Sequence, residues 1–275
     1  MKQWHDIMAK VLAEGRSRPD RTGVGTVSLF GEQLVFDNSG PFPATTSKRL
    51  AIKQVAAELA SFLNGHNTLE QFHNEGCTIW DANGNADYWR PEKPGDLGRI
   101  YGVQWRQWRA VDSAGYMVEL DQLSGLIRSM HKDPFGRRHM VTAWNPGELS
   151  QMCLPPCHVL FQAYVTAEYT VDLRVDMRSV DLFLGLPFDI ASYALLQRLL
   201  CRTLGWQPGR LIFQLGDAHI YLNHLDAVAK ALANPVLPGP RLVLAEEANL
   251  LNFSADMVTL EDYACAAAIP APMNV

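Results

Sequence analysis

The chain has 275 residues, 48% of them hydrophobic and 19% charged, a composition typical of a soluble globular protein with a large core. Its formal net charge of −5 argues against general nucleic-acid binding but leaves room for a small phosphate ligand held by local arginines. No apolar run approaches the ~20 residues that span a bilayer, and the first residues lack a signal peptide's apolar region. We therefore expect a cytoplasmic protein without membrane contact.

Hydrophobic periodicity and turn residues predict the secondary structure along the chain. The N-terminal stretch predicts an amphipathic helix that ends at Gly15. The apolar face of that helix holds Trp4, Ile7, Met8, Val11 and Leu12. The patterns that follow predict strands at 27–36, 139–144, 159–165, 169–175 and 211–215, and helices at 51–64, 118–131 and 190–204.

This order of elements predicts the fold class. Proline and glycine cluster at 38–43, 91–98 and 235–240, which is typical of loops within one domain rather than of linkers. Adjacent strands with helices inserted between them favour an α/β (α+β) fold with a mixed β-sheet flanked by helices. We expect a single domain over residues 1–275.

Cys157 is the first candidate for chemistry. The five cysteines are odd in number, scattered and without a CxxC pair, so we expect free thiols and no metal site. Cys157 lies in LPPCH, where two prolines fix the backbone just ahead of a strand, and it is either a structural cysteine or a nucleophile. A reactive thiol needs positive surroundings, which Arg21 in DRTG and the Arg137–Arg138 pair could provide. Each of these arginines could equally be a solvated surface charge.

The segment 176–193, DMRSVDLFLGLPFDIASY, is a candidate floor for a site that binds a small anion. Arg178 and Ser179 offer a guanidinium fork and a hydroxyl suited to phosphate. A Gly-Leu-Pro-Phe turn then leads to Asp189, whose side chain could recognise the edge of the ligand. In GDAHIY, alternate spacing puts His219 and Tyr221 on one face of an extended segment. Structural roles remain the alternative for each residue taken alone.

A set of motifs spreads over nearly the whole chain. They are DRTG (20–23), TIWD (78–81), GDLG with YG.QWR (95–106), GRR then AWN (136–145), PCH (156–158), RS.D.FLGLPF (178–188), IASYALL (190–196) and GD.H.Y..NH (216–224). Together they resemble the thymidylate synthase family. The resemblance implies a homodimeric α/β enzyme that transfers a one-carbon unit from 5,10-methylenetetrahydrofolate, a co-substrate, to C5 of a pyrimidine deoxynucleoside monophosphate.

The resemblance also implies roles for individual residues. Cys157 would be the nucleophile that adds to C6 of the pyrimidine, and His219 and Tyr221 would bind the ribose hydroxyl. The phosphate would be held by arginines and a serine, the last two arginines coming from the other subunit: Arg21, Arg178, Ser179, Arg137 and Arg138. Because these arginines are cationic, they would also lower the pKa of the thiol.

The remaining roles concern proton transfer and the folate. Glu58 would organise water and proton transfers, and Tyr101 would help to remove a proton. Asp181 would contact the folate, and Trp80 would pack near the carbon that is transferred. Leu154 keeps the residue found in the synthases and belongs to the same folate side of the site.

Three departures from the synthase pattern bear on substrate and product. Asp189 replaces an asparagine that reads uracil; an ionised carboxylate only accepts hydrogen bonds and would favour the N4 amino group of cytosine. Met177 replaces a glutamine, and phage deoxycytidylate hydroxymethylases also have Met-Arg-Ser here. Ala82 and Asn83 replace Glu-Trp, and loss of that indole could alter water access.

Water access decides the product, because the exocyclic methylene left on C5 becomes a methyl group with hydride and a hydroxymethyl group with water. We favour hydroxymethylation of dCMP, which in phages prepares modified nucleotides for DNA. The alternatives are dUMP as substrate, which requires a neutral Asp189 carboxyl held by an apolar site, and methylation of either nucleotide. A non-catalytic nucleotide-binding paralogue is a further alternative.

Overall fold

A computed structural model describes residues 1–274 and contains a mixed β-sheet flanked by helices, as the sequence predicts. The strands are β1 (Arg16–Arg18), β2 (Thr26–Asp37), β3 (Trp108–Val111), β4 (Met117–Leu120), β5 (Met140–Thr142), β6 (His158–Val165), β7 (Thr170–Asp181), β8 (Gln207–Tyr221), β9 (Arg241–Leu244) and β10 (Val258–Glu261). The α-helices are α1 (Lys2–Glu14), α2 (Ile52–Leu63), α3 (Leu69–Asn74), α4 (Asp81–Gly84), α5 (Tyr101–Arg106), α6 (Gln122–Lys132), α7 (Gly185–Leu204) and α8 (Leu225–Ala233). Short 3₁₀ turns occupy Leu149–Gln151, Leu222–His224 and Ala255–Met257.

The main sheet has six strands in the order β1-β2-β8-β7-β6-β5. Neighbouring strands are antiparallel except for β7 and β8, which are parallel and joined by α7. Since parallel strands end at the same edge of a sheet, the last residues of β7 and β8 lie side by side, with Asp181 opposite His219. The pairs β3–β4 and β9–β10 form separate two-stranded sheets.

Helix α7 forms the centre of the core and supports the site. Nearly all its apolar side chains are buried, as expected for a helix covered on all sides. It ends at Gly205, whose φ of 73° is the left-handed conformation that glycine adopts without strain. At its start, the Asp181 carboxylate accepts hydrogen bonds from the backbone N–H groups of Phe183 (2.9 Å) and Leu184 (3.2 Å). The end of β7 therefore fixes where α7 begins.

The structure corrects three local predictions. Leu12 is 41% exposed, because the buried face of α1 consists of Trp4, Ile7, Met8 and Val11. The predicted helix at 118–131 begins only at Gln122, with Asp121 as its cap, and the residues before it pair in β4. The Gly-Leu-Pro-Phe run is the first turn of α7, where proline is tolerated since no helical hydrogen bond needs its missing N–H.

Within residues 1–274, no helix is both long and apolar enough to cross a membrane.

Candidate active site

A cleft of about 1090 Å³ opens at the carboxyl ends of β7 and β8. Its volume is slightly above the roughly 300–1,000 Å³ usual for small-molecule sites. All the residues that the sequence predicts for the site line this cleft, apart from one arginine pair. They are Arg21, Glu58, Trp80, Tyr101, Leu154, Cys157, Arg178, Ser179, Asp181, Asp189, His219 and Tyr221.

Arg137 and Arg138 are the pair that the fold does not bring to the cleft. Both are exposed in the turn between α6 and β5, and neither is among the described residues that line the cleft. The backbone oxygen of Arg137 accepts a hydrogen bond from the Gln162 side chain at 3.3 Å, which anchors the turn to β6.

Cys157 immediately precedes β6, as the sequence predicts, and Arg178 holds the loop that carries it. The Arg178 Nε and Nη2 atoms donate hydrogen bonds to the backbone oxygens of Pro156 and Pro155, each at 2.8 Å. The backbone N–H of Arg178 donates to the Cys157 oxygen at 2.8 Å. The same Nη2 atom lies 3.9 Å from the Cys157 Sγ. One guanidinium therefore both positions the thiol loop and faces the sulfur.

The pKa of the Cys157 thiol is raised in this environment, contrary to the simple expectation from the arginines. Burial is the largest cause of the increase, and nearby Asp189 adds to it. Arg178 and Arg21 lower the pKa, as the sequence predicts, but they do not offset the burial. The thiol of the unliganded protein is thus protonated near neutral pH, and thiolate formation needs a further proton acceptor.

Tyr101 connects the thiol loop to the aromatic wall of the cleft. Its hydroxyl oxygen accepts a hydrogen bond from the Cys157 backbone N–H at 2.7 Å. Its ring stacks on His158 with centroids 4.2 Å apart. Burial raises the pKa of Tyr101 well above its ordinary value, so the hydroxyl keeps its proton and can donate it in a hydrogen bond.

Asp189 lies in the first turns of α7 beside His158. The two side chains approach to 3.6 Å between Asp189 Oδ1 and His158 Nε2. Burial raises the pKa of Asp189 well above its ordinary value, and the charges of Glu58 and Asp181 add to the shift. Burial also lowers the pKa of His158 to about 3. Burial therefore disfavours the charged form of both groups, whereas the sequence-based expectation of a cytosine substrate assumes an ionised Asp189.

Tyr193 fixes the other side of the same imidazole. Its hydroxyl lies 2.8 Å from His158 Nδ1, and both groups are buried. A tyrosine hydroxyl can donate or accept, so the hydrogen on the His158 ring can sit on either nitrogen. The position of this hydrogen decides whether Asp189 Oδ1 faces an N–H group or a lone pair at His158 Nε2.

Glu58 and Trp80 form a second titratable unit. The Trp80 Nε1–H group donates a hydrogen bond to Glu58 Oε1 at 2.8 Å, which joins α2 to the segment before α4. Burial raises the pKa of Glu58 to about 7, and the Trp80 hydrogen bond opposes the shift. A carboxyl with this pKa exchanges protons readily near neutral pH, which suits general acid–base catalysis.

Arg21 projects from a loop that Asp20 holds in place. The Asp20 carboxylate accepts hydrogen bonds from the Thr22 hydroxyl at 2.6 Å and from the Gly25 N–H at 2.7 Å. The Arg21 guanidinium lies 5.7 Å from the ring centre of Tyr88, a cation–π distance. Arg21 and Arg178 face the cleft from different strands and loops, so an anion between them would meet two positive charges.

Several residues of the site were not predicted from the sequence: Arg18, Tyr88, Cys153, Tyr193 and Asp217. His158 and Asp217 could have been found, since they stand inside the LPPCH and GDAHIY runs. Tyr193 likewise stands inside the IASYALL run, whereas Tyr88 carries no local signal, because its contact with Arg21 comes from an element distant in sequence. Among the described residues, no group of three or more His, Cys, Asp or Glu side chains is arranged to hold a metal ion.

Comparison with protein-family models gives a match to the model described as thymidylate synthase, over residues 2–275.

Proposed function

Because this chain belongs to the thymidylate synthase family, we propose that it hydroxymethylates dCMP at C5. The family transfers a one-carbon unit from methylenetetrahydrofolate to C5 of a pyrimidine nucleotide. The proposed reaction converts dCMP, 5,10-methylenetetrahydrofolate and water to 5-hydroxymethyl-dCMP and tetrahydrofolate. Among family members, phage deoxycytidylate hydroxymethylases are the proposed nearest functional relatives, since they share the Met-Arg-Ser run at 177–179.

The observation that carries the choice of cytosine is the place of Asp189, on the cleft wall where the synthase pattern has an asparagine, with burial raising the pKa of its carboxyl so that it can hold a proton to give. Its O–H group can donate to N3 of cytosine while its carbonyl oxygen accepts from the N4 amino group. When a thiolate adds to C6, N3 gains basicity and takes the Asp189 proton. The carboxylate that remains accepts from both N3–H and N4–H, so the pair is stabilised as the reaction proceeds.

Cys157 is the proposed nucleophile. Its sulfur forms a bond to C6, and the electron pair of the C5–C6 double bond makes C5 nucleophilic. Methylenetetrahydrofolate supplies the one-carbon unit that C5 takes up. Loss of the C5 proton, assisted by Tyr101, accompanies cleavage of the bond between the one-carbon unit and the folate nitrogen, which releases tetrahydrofolate and leaves an exocyclic methylene on C5. Glu58, with its pKa of about 7, relays protons through water. Water attacks the exocyclic methylene as the sulfur leaves C6, which gives the hydroxymethyl product.

Asn83 supports water rather than hydride as the final reactant. It is 8% exposed and lines the cleft, where the synthase pattern has an indole. A side-chain amide offers both a donor and an acceptor to a water molecule, which an indole ring does not. Met177 gives less support to water as the final reactant, because it is buried between β6 and β8 and is not among the described cleft-lining residues.

The raised pKa of Asp189 also favours a second candidate substrate, dUMP. A neutral carboxyl can donate to O4 of uracil while its carbonyl oxygen accepts from N3–H. With an ionised Asp189, each base keeps one hydrogen bond, from N3–H of uracil or N4–H of cytosine, and turns one acceptor toward the carboxylate. The two nucleotides differ after Cys157 adds, because N3 of cytosine can take the Asp189 proton whereas N3 of uracil already carries a hydrogen.

The folate would occupy the cleft beside the nucleotide. The indole of Trp80, the side chain of Leu154 and the partly buried Ile79 give an apolar surface suited to a flat ring system. Asp181 offers a carboxylate at the same wall. The cleft volume of about 1090 Å³ fits a site that takes both molecules.

We further propose that the protein is a homodimer of single-domain protomers. Arg137 and Arg138 would reach the phosphate in the cleft of the partner subunit. The support is that both arginines are exposed and are not among the described residues of their own cleft. Large apolar side chains also stay exposed on strands of the main sheet, namely Phe30, Val35, Met140 and Tyr164.

Product analysis tests the proposed function. The protein is incubated with methylenetetrahydrofolate and either dCMP or dUMP, and the nucleotide and folate products are identified by mass. Hydroxymethyl-dCMP with tetrahydrofolate is the expected result. A methylated nucleotide with dihydrofolate contradicts the proposed product, and turnover of dUMP alone contradicts the proposed substrate. Absence of any C5 chemistry would leave a nucleotide-binding paralogue as the function.

A further inference from the structure

Arg18, Asp217 and His219 form a chain of contacts at one end of the cleft. Arg18, on β1, reaches past β2 so that its Nη1 atom donates to Asp217 Oδ2 on β8 at 2.9 Å. The other carboxylate oxygen, Asp217 Oδ1, lies 3.5 Å from His219 Nδ1. This oxygen is buried and has no hydrogen-bond partner within residues 1–274.

The surroundings of His219 specify which ring nitrogen carries the hydrogen. Its Nδ1 atom faces two acceptors, the backbone oxygen of Asp217 at 3.3 Å and Asp217 Oδ1 at 3.5 Å. A neutral imidazole has one N–H group, so acceptors on this side place the hydrogen on Nδ1 and leave a lone pair on Nε2. Asp217 thereby makes His219 an acceptor toward the cleft.

Tyr221 complements this acceptor. Its ring lies 4.9 Å from that of His219, nearly perpendicular to it, and both line the cleft. Burial raises the pKa of Tyr221 to about 12, so its hydroxyl stays protonated and can donate. A hydroxyl group between the two rings can therefore donate to His219 Nε2 and accept from Tyr221 at the same time.

We propose that Arg18 and Asp217 are positioning residues that fix the His219 tautomer for recognition of a sugar hydroxyl. The inference rests on the proposed function, in which His219 and Tyr221 bind the deoxyribose. For dCMP the hydroxyl is the one at C3′, the only free hydroxyl on that sugar. Arg18 holds Asp217 Oδ2, which keeps Oδ1 directed at the imidazole.

An Asp217→Asn variant reverses the polarity of the contact without changing its shape. Arg18 requires an acceptor, so the amide oxygen takes the place of Oδ2 and the amide NH₂ group faces His219 Nδ1. The backbone oxygen of residue 217 still accepts from Nδ1–H, but a donor in place of Oδ1 opposes it and shifts hydrogen from Nδ1 toward Nε2. Nε2 and Tyr221 would then both present donors to the hydroxyl, which has a single hydrogen to donate and can no longer do so.

Binding of dCMP and of 2′,3′-dideoxy-CMP to the full chain, measured by calorimetry without folate, tests the inference. The wild-type protein should prefer dCMP by roughly 2- to 12-fold, the usual net effect of one hydrogen bond. Asp217→Asn should lower that preference to within about twofold, and Arg18→Gln should lower it partly. Arg16→Gln is the matched control: this arginine is also exposed on β1, and no ion pair of Arg16 occurs within residues 1–274.

A second readout reports the tautomer itself. The ¹⁵N chemical shifts of the His219 ring should show hydrogen on Nδ1 in the wild-type protein and in Arg16→Gln, and more hydrogen on Nε2 in Asp217→Asn. The inference is overturned, without affecting the proposed function, if Asp217→Asn weakens binding of both nucleotides equally or keeps the Nδ1–H tautomer. A wild-type protein that binds neither nucleotide overturns the proposed function as well.

Discussion

His158 Nε2 lies 3.6 Å from Asp189 Oδ1, and burial shifts the pKa of each group toward its uncharged form. The raised pKa of Asp189 favours a carboxylic acid over a carboxylate at this wall of the cleft. An acid can give its proton to the base when Cys157 adds and recover it when the sulfur leaves. This reversible proton transfer is the physical basis of the proposed preference for cytosine.

Asp189→Asn should move the substrate preference from dCMP to dUMP. The amide pairs with uracil by donating to O4 and accepting from N3–H. It can also pair with cytosine by donating to N3 and accepting from N4–H, but it has no proton to transfer to N3 when Cys157 adds. Loss of a hydrogen bond that involves a charged group costs about 1.5–3 kcal/mol. The ratio of kcat/KM values for dCMP and dUMP should therefore change by roughly 10²-fold or more. An unchanged ratio would show that Asp189 does not contact the base.

Cys157→Ala should abolish release of tritium from C5 of the substrate, because C5 is not activated without addition at C6. The rate should fall by about four or more orders of magnitude, as for loss of other enzyme nucleophiles. Cys153→Ala is the matched control, since Cys153 is a buried cysteine that lines the same cleft. Tritium release by Cys157→Ala at a rate near that of the control would disprove the nucleophile assignment.

Glu58→Gln should stabilise the protein at high pH but not at low pH. The pKa of Glu58 rises from its ordinary value of 4.5 to about 7, so the folded state binds more protons than the unfolded state between these values. Its contribution to stability is present below pH 4.5 and is lost as the pH rises through 7. Charging the buried group then costs about 3 kcal/mol.

Urea unfolding of the wild-type and Glu58→Gln proteins, at equal protein concentration, measures this difference. The free energies of unfolding should be similar near pH 4.5 and differ by up to about 3 kcal/mol near pH 8. The comparison at each pH cancels the other titrating groups, and the amide oxygen of the introduced glutamine can still accept the Trp80 hydrogen bond. A pH-independent difference would mean that the Glu58 pKa is not raised by folding.

Asn83→Trp should shift the product from hydroxymethyl toward methyl. An indole at this position of the cleft displaces water from the side where the exocyclic methylene forms. A change of about tenfold in the product ratio, equivalent to about 1.4 kcal/mol between two barriers, is expected. Mass analysis of the folate distinguishes the outcomes. Ala82→Glu is the control, because Ala82 is exposed and its change should leave the ratio unaltered.

Hybrid dimers test whether Arg137 and Arg138 act across an interface. Arg138→Ala and Cys157→Ala proteins, each inactive alone, are mixed, unfolded and refolded together. In a symmetric dimer, random reassociation makes half of the dimers hybrids. Each hybrid has one of its two sites with both Cys157 and Arg138 native, so activity should recover to about a quarter of the wild-type value. Failure to recover activity, with each variant refolding well by itself, would place the arginines outside the partner's site.

The sequence predicts much of the fold because its strongest signals are local. The structure forms strands where the residues of β2, β6 and β7 alternate and a helix over the apolar run of α7. The motif residues around Cys157 and Asp189 line one cleft. The errors arise where tertiary structure overrides a local pattern. Met117–Leu120 pairs as β4 because its partner β3 lies across a short turn, although the residues fit a helical period.

The protonation states could not be predicted in the same way. A sequence shows that Asp189 follows a phenylalanine, but it does not show that His158, Glu58 and Asp181 surround it. At Cys157, burial raises the thiol pKa more than the two nearby arginines lower it. This balance depends on how deeply the sulfur is buried rather than on residue type. The electrostatics of the site therefore follow from packing, which sequence motifs do not specify.

The three bonds from Arg178 to the Pro155–Cys157 loop give this arginine a second role beyond charge. Its Nη1 atom takes no part in them. If Arg178 binds the phosphate as proposed, anion binding and alignment of the sulfur would depend on the same planar group, so a nucleotide lacking its phosphate should react slowly even when saturating. The phosphate would act as an activator of the thiol as well as a handle for binding.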